Sequence, residues 1–305
     1  MNMMRTDWRE YSSTIDKKVL LASLVWISIL VALNYTLGIE HQWIRSMESR
    51  VDQFAALYVM YCSAFIIPYG LVLVLGKQTR VITPGFWGLL LVAPAIFALK
   101  VCSANPLEYV VDGLWGMYLT IITMLPFKLL IVLIPLMILY NVSPQSSFWG
   151  LTVHNVRWQP YGLMLLLMLP LIMFASTQPD FLEAYPRVRQ IDFIAPYTEC
   201  LLCHRLLYEF SYGIDFITIE LFFRGFLIFG FIRYAGAAAI VPMATFYCSI
   251  HFGKPLLECI SSFFGGLVLG VVAYRTRSIV GGLAVHVGIA WMMELGGYLV
   301  NVWSR

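Results

Sequence analysis

The chain has 305 residues, of which 60% are hydrophobic and only 12% are charged, and its formal net charge is +3. Soluble domains carry about 25% charged residues. The composition therefore excludes a water-soluble fold of this size and indicates a protein that lies in lipid. The few positive charges are scattered along the chain, so no nucleic-acid partner is expected.

Nine apolar runs follow one another along the sequence. They cover residues 19–38, 54–76, 86–103, 113–141, 161–178, 206–234, 237–252, 256–274 and 279–301. Most are close to the length of about 17–25 residues that a helix needs to cross a bilayer, and they are continuous, whereas strands of a barrel alternate. The sequence therefore predicts an all-α fold, a polytopic transmembrane helical bundle of about eight or nine helices.

A polar stretch at residues 143–160 divides the runs into two sets. It predicts N-terminal transmembrane helices within 1–142 and C-terminal transmembrane helices within 161–305. The first eighteen residues are polar, and the run that follows lacks a small-x-small cleavage pattern, so we expect no cleaved signal peptide. Lys and Arg are more frequent in the loops assigned to the inner side when the N-terminus is cytoplasmic, which favours that orientation.

The ionisable residues inside the apolar runs of the last third include Glu220, Arg224, His251 and His286. Each costs about 2.5–3.5 kcal/mol at the centre of a membrane, so such residues usually line a cavity and have a function. Glu220 and Arg224 are four residues apart, on one face of an α-helix, where they can form a purely structural pair. Two histidines on two further helices favour a catalytic site. A carboxylate and an imidazole can activate water, and a second imidazole can stabilise an oxyanion.

These four residues belong to a longer series with a characteristic order. The series is Glu220-x-x-x-Arg224-Gly225, His251, Gly265-Gly266-x-x-x-Gly270, Arg275, Ser278 and His286. Over roughly residues 214–294 it resembles the CAAX-protease and bacteriocin-processing (CPBP, or Abi) family of intramembrane endopeptidases. The family motifs are Glu-Glu-x-x-x-Arg, Phe-x-x-x-His and His-x-x-x-Asn.

The resemblance implies hydrolysis of a peptide bond in a membrane-associated peptide or protein, carried out in a bacterial inner membrane. It implies that a glutamate and a histidine activate water and that a second histidine and an asparagine hold the oxyanion. Our hypothesis gives these roles to Glu220 with His251 and to His286, with Arg224 fixing Glu220. No cofactor is expected. A zinc ion held by the glutamate and the two histidines is an alternative, because two histidines and a carboxylate form a known zinc ligand set.

The sequence departs from the family motifs at three positions, Ile219, Tyr247 and Ala290. Ile219 replaces the glutamate that usually activates water, and Glu220 lies about 100° around an α-helix from it. Ala290 replaces an oxyanion donor, whose loss typically costs about 10²–10³ in rate.

Two questions stay open at this point. The base is Glu220 or, as second choice, Glu258, which lies close to His251 in the sequence. The protein is a peptidase or, alternatively, an inactive relative that binds a peptide or partner helix in the same cavity. A transporter with a proton relay is a third and weaker interpretation.

The cysteines give a competing signal. Cys200-Leu201-Leu202-Cys203-His204 matches the short pattern of c-type haem attachment. Most of the six cysteines lie in apolar runs, where they are typical small packing residues, so a disulfide framework is not expected.

Overall fold

The structure is a computed structural model that describes residues 16–76, 83–142, 146–154 and 156–303. Among these residues all regular secondary structure is helical, which confirms the predicted all-α fold. The α-helices are α1 (Lys17–Leu37), α2 (Arg50–Leu75), α3 (Pro84–Cys102), α4 (Gly113–Val142), α5 (Trp158–Ala175), α6 (Pro179–Ala184), α7 (Leu201–Glu220), α8 (Ile232–Ala235), α9 (Ile240–Ser249), α10 (Leu256–Thr276) and α11 (Val280–Trp303).

Shorter helical segments of other types lie between them. They are a π-helical segment at Ile39–Ile44, 3-10 segments at Pro106–Tyr109, Phe148–Gly150 and Arg187–Tyr197, a π-helical segment at Leu221–Gly230 and a 3-10 segment at Gly236–Ala239.

Side-chain caps define the starts of the first two helices. The Asp16 carboxylate accepts a hydrogen bond of 2.8 Å from the Lys18 N–H, and the Ser49 hydroxyl accepts one of 3.3 Å from the Asp52 N–H. Each cap satisfies one of the amide groups that a helix leaves without a carbonyl partner at its N-terminus. α1 ends at Leu37 and is followed by Gly38, whose φ of 65° is the left-handed conformation that glycine adopts without steric cost.

Seven helices within the described residues are long and apolar enough to cross a membrane, or eight when α7 to α9 count as one broken span. The chain is therefore a polytopic integral membrane protein. The difference from the prediction lies mainly in the run 237–252, because its helix α9 has ten residues and is about 15 Å long. That length is half of the apolar thickness of a bilayer.

The described residues fall into two compact units that alternate along the chain. One lies within Met1–Cys102, Ser143–Thr152 and Leu221–Ile279, and the other within Ser103–Val142, Val153–Glu220 and Val280–Arg305. The core of the first unit includes Ile27, Ala244, Cys248, Phe252, Cys259 and Phe263. The core of the second includes Tyr118, Ile191, Ile194, Tyr208, Tyr212 and Ala290.

The described part of the polar stretch at 143–160 includes a short segment packed inside the first unit. Trp149 is buried and its ring lies 5.3 Å from that of Phe226. Gly150 accepts a hydrogen bond of 2.9 Å from the Ile279 N–H, and the Ser278 hydroxyl donates to the Thr152 carbonyl. This segment therefore holds the short turn between α10 and α11.

Some sequence-based interpretations concern residues outside the described ranges. Residues 1–15 and 77–82 carry several of the charges used to orient the chain, and residues 143–145 begin the polar stretch. The orientation, the absence of a signal peptide and the division of the chain at 143–160 stay predictions.

Candidate active site

Glu220 and His286 form a hydrogen-bonded pair within the second unit. Glu220 is the last residue of α7 and is 0% exposed, and His286 lies in the second turn of α11. The His286 Nδ1 atom is 3.0 Å from Glu220 Oε1. A buried carboxylate needs a hydrogen-bonding partner to offset its lost hydration, and the imidazole provides one.

Two neighbours shape the surroundings of this pair. Gly282 precedes His286 by one helical turn, and a Cβ atom at this glycine would lie 2.8 Å from Glu220 Oε2. The ring of Phe216, one turn before Glu220, lies 5.0 Å from the His286 ring. The glycine therefore leaves room for the carboxylate, and the phenylalanine packs an apolar ring against the imidazole.

The contact with Glu220 orients His286 and, with Glu220 ionised, selects its tautomer. An ionised carboxylate only accepts hydrogen bonds, so Nδ1 of the imidazole carries the proton. In the neutral ring, Nε2 is then the nitrogen that accepts a proton. When Nε2 becomes protonated, the imidazolium charge lies beside the Glu220 carboxylate, which stabilises it.

Arg224, Tyr247 and His251 form a second group, within the first unit. The Arg224 side chain is 0% exposed, and its guanidinium carbon lies 4.1 Å from the centroid of the Tyr247 ring. This distance is typical of a cation–π contact. The rings of Tyr247 and His251 meet edge to face at 4.7 Å. Tyr247 replaces the phenylalanine of the family motif and therefore keeps an aromatic ring between the arginine and the histidine.

His251 also has a defined tautomer. Its Nδ1 atom is 2.8 Å from the backbone carbonyl oxygen of Tyr247. Because a carbonyl only accepts, Nδ1 donates, and Nε2 is the ring nitrogen that accepts a proton in neutral His251. This arrangement is compatible with the role in water activation that the family resemblance implies.

The predicted pairing of Glu220 with Arg224 stays a prediction. It assumed α-helical spacing, but the α-helix ends at Glu220 and the chain continues as a π-helical segment from Leu221. A π-helix bonds each amide five residues back, so α-helical spacing does not apply between the two residues.

Glu258, the second candidate base, lies in the first turn of α10. Its Oε1 atom is 3.1 Å from the Lys254 ammonium nitrogen, four residues earlier. A carboxylate in the first helical turn also interacts favourably with the helix dipole. These contacts are typical of a structural acid, whereas Glu220 contacts a candidate catalytic histidine.

Ile219 and Ala290, two of the three positions where motif residues are replaced, are both buried. Ile219 is buried at the end of α7, and Ala290 packs with Tyr118 and Tyr212 in the core of the second unit. Ala290 lies one turn after His286. The amide donor of the family motif is therefore replaced by a small side chain in an aromatic core.

The glycine series of α10 serves close packing of helices within the first unit. A Cβ atom at Gly266 would lie 3.1 Å from Tyr247 Cδ1, and one at Gly270 would lie 2.6 Å from Met243 Cε. Small residues at such positions let helix backbones approach each other in membranes. Gly266 thereby allows Tyr247 to occupy its place beside Arg224.

Metal ligation has limited support among the described residues. Nowhere in those ranges do three or more His, Cys, Asp or Glu side chains form a group able to hold a metal ion. Glu220 and His286 supply two donor side chains, one fewer than a typical catalytic zinc site takes from its protein. The two cysteines of the haem-attachment pattern, Cys200 and Cys203, are joined to each other by a disulfide in the structure.

The sequence did not reveal how α1 contacts the loop that follows His251. The Asn34 side-chain amide donates to the Phe252 carbonyl at 2.9 Å, and its oxygen accepts from the Glu40 N–H at 3.0 Å. The Tyr35 hydroxyl donates to the Lys254 carbonyl. An asparagine inside an apolar run was the available signal, but its partner lies 218 residues away in the sequence.

Asn34→Ala is expected to destabilise the first unit. The change leaves the buried Phe252 carbonyl and the Glu40 amide without this partner, which costs about 1–3 kcal/mol of unfolding free energy. Thermal unfolding in detergent micelles measures the effect. Thr36→Val is the matched control, because the Thr36 hydroxyl donates within its own helix, to the Ala32 carbonyl. Equal melting temperatures for the two variants would contradict the proposed role of Asn34.

Gly282→Ala is expected to lower the catalytic rate. The added methyl group would press on Glu220 Oε2 and displace the carboxylate from His286, and a 1 Å misplacement can cost about 10²-fold. Gly265→Ala is the control, because a Cβ atom at Gly265 meets nothing within 4 Å. It should keep the wild-type rate. The two variants are compared in the same peptide-cleavage assay, and equal rates would argue against a functional role of the Glu220 position.

Comparison with known proteins found a similarity over part of the chain. Residues 206–292 match the family model described as type II CAAX prenyl endopeptidase Rce1-like. Searches of curated proteins and of solved structures gave no match. The matched segment contains Glu220, Arg224, His251 and His286. Over residues 206–292, less than a third of its length, the chain is therefore similar to type II CAAX prenyl endopeptidases.

Proposed function

We propose that this protein is an intramembrane endopeptidase that hydrolyses a peptide bond of a membrane-associated peptide or protein. The observation that carries the proposal is the contact of 3.0 Å between the buried Glu220 carboxylate and His286 Nδ1. The match of residues 206–292 to a family of prenyl endopeptidases supports the same reaction class. A carboxylate that orients a histidine is a recurrent arrangement for proton transfer in hydrolases.

His286 is the proposed general base. Nε2 takes a proton from a water molecule while the water oxygen bonds to the carbonyl carbon of the substrate. The resulting imidazolium is stabilised by Glu220 and then gives the proton to the amide nitrogen as the C–N bond breaks. This role differs from the oxyanion role that the family resemblance implies for His286. It is supported by the carboxylate at Nδ1, which orients the ring and leaves Nε2 as the nitrogen that can accept a proton.

His251 has a supporting role in the proposal, in water activation as the resemblance implies. We expect His251→Ala to lower kcat by about 10²-fold, at the lower end of the range for a lost acid–base group. Thr245→Val on α9, the helix that precedes His251, is the control, because the Thr245 hydroxyl is bonded to the backbone of its own helix. An unchanged kcat for His251→Ala would remove His251 from the mechanism.

The test of the function is a cleavage assay in proteoliposomes with a panel of membrane-inserted and membrane-anchored peptides. The expected products are two fragments whose masses sum to that of the substrate plus one water. Stable binding of a peptide that is never cleaved would instead support the alternative, an inactive relative that holds a peptide or partner helix. Metal chelation is a useful addition, since loss of activity that zinc restores would support the zinc alternative.

The proposed location is the bacterial inner membrane, with the N-terminus on the cytoplasmic side. The sequence basis for this orientation is the excess of Lys and Arg in the loops that a topology of nine spans assigns to the inner side. Labelling of single cysteines introduced at loop positions, from one side of sealed vesicles, tests it. Labelling of the N-terminal segment from the periplasmic side would contradict it.

A further inference from the structure

The start of α7 carries an exposed disulfide that the proposed peptidase reaction does not use. Cys200, just before the helix, is bonded to Cys203 in its first turn. Both side chains are exposed. Among the residues that the structure describes, this is the only disulfide.

This disulfide contributes little to the stability of the fold. It closes a loop with only two intervening residues, and the stabilisation from restricting the unfolded chain grows with loop length. The same turn is already closed by backbone hydrogen bonds. The Cys203 N–H donates to the Cys200 carbonyl at 3.1 Å, and the His204 N–H donates to it at 3.4 Å. The bond therefore adds little to the order of the turn.

The two sulfur atoms differ in their surroundings. The Cys203 N–H lies 3.3 Å from Cys200 Sγ and donates to it. The Cys200 N–H donates in turn to the Thr198 hydroxyl oxygen at 3.2 Å, which fixes the residue ahead of the helix. Amide groups at the start of a helix stabilise negative charge. Cys200 is therefore the cysteine that carries a thiolate more readily, and it is the better leaving group in disulfide exchange.

We propose that Cys200 and Cys203 form a thiol–disulfide exchange site whose substrate is a pair of thiols on another protein. A partner thiolate attacks Cys203 Sγ, the bond between Cys200 and Cys203 breaks, and its electron pair goes to Cys200 as a thiolate. The second partner thiolate then attacks the partner sulfur of the mixed disulfide and releases Cys203, which takes a proton. Two electrons pass to this protein, and the partner dithiol becomes a disulfide. The proposal does not depend on the peptidase function.

The test is a redox titration of the full-length protein in micelles. The protein is equilibrated with mixtures of reduced and oxidised glutathione, thiols are trapped with a maleimide, and the peptide containing both cysteines is quantified by mass spectrometry. We expect a single transition between dithiol and disulfide within the range of the glutathione buffers. Cys62→Ser should keep this transition, as should Glu220→Gln, in which the proposed peptidase is impaired. A pair that stays reduced in oxidised glutathione, or stays oxidised in excess dithiothreitol, would overturn the proposal.

A second measurement tests the difference between the two sulfur atoms. In Cys203→Ser the remaining Cys200 should react with iodoacetamide at pH 7 about tenfold faster than Cys203 does in Cys200→Ser, because helix N-termini favour the thiolate. Both variants retain one cysteine of the pair in the same turn, so each serves as the control of the other. Equal rates would contradict the assignment of Cys200 as the stabilised thiolate.

Discussion

Replacing Glu220 with Gln is expected to lower kcat for peptide cleavage by about 10³–10⁴-fold, the size of effect seen when an orienting carboxylate becomes an amide. Gln has the same shape as Glu, and its oxygen can still accept from His286 Nδ1. It carries no charge to stabilise the imidazolium that forms when His286 takes a proton. Its amide group can also donate to Nδ1 and impose the wrong tautomer. The variant should fold, so its melting temperature reports on stability and its kcat reports on catalysis.

Glu258→Gln is the matched control for this experiment. The same atoms change, at a glutamate that pairs with Lys254 in the first turn of α10 and is partly exposed. Partly exposed ion pairs contribute about 0–1 kcal/mol, so the variant should keep its activity within about threefold. A large loss for Glu258→Gln together with a small one for Glu220→Gln would make Glu258 the base and reject the mechanism proposed above.

His286→Ala is expected to lower kcat by about 10³-fold, within the range for a lost general base. It also removes the hydrogen bond to a carboxylate that is 0% exposed. Removing one partner of a buried hydrogen bond costs about 1–3 kcal/mol, so the melting temperature should fall. The measurement is the initial rate of cleavage below the melting temperature of the variant, with the folded fraction determined in the same sample.

His204→Ala separates the catalytic effect from the structural one. His204 also lies in the second unit, and its Nδ1 atom is 2.7 Å from the Tyr118 hydroxyl oxygen. Like His286→Ala, this change removes a histidine and one hydrogen bond. We therefore expect a fall in melting temperature comparable to that of His286→Ala, with peptidase activity within about threefold of the wild type. If both variants lost activity to the same extent, instability would explain the effect of His286→Ala.

The apolar runs allowed the helices to be predicted, because lipid requires long helices whose backbone groups are bonded internally. The boundaries of α1 and α4 agree with the runs 19–38 and 113–141 to within a few residues. The run 237–252 was wrongly predicted as one long helix, because a 3-10 segment, the ten-residue α9 and a turn follow one another in a largely apolar stretch. Composition alone does not distinguish these conformations.

The location of the site could also be predicted in part. The cost of charge in lipid identified Glu220 and His286, which the structure brings into contact although 66 residues separate them. The π-helical segment after Glu220 was not predictable, because its apolar residues would fit an α-helix equally well. The contact of Gly282 with Glu220 depends on how two helices approach each other, which spacing along one chain does not specify.

The most direct test of the central claim is a double-mutant cycle of Glu220→Gln and His286→Ala, measured as kcat for one cleaved membrane peptide in proteoliposomes. If the two side chains act as one catalytic unit, the double variant should be within about tenfold of the slower single variant, because the second change removes nothing further. If they act independently, their separate losses of about 10³-fold or more would multiply to about 10⁶-fold or more. A multiplied loss would contradict the Glu220–His286 mechanism.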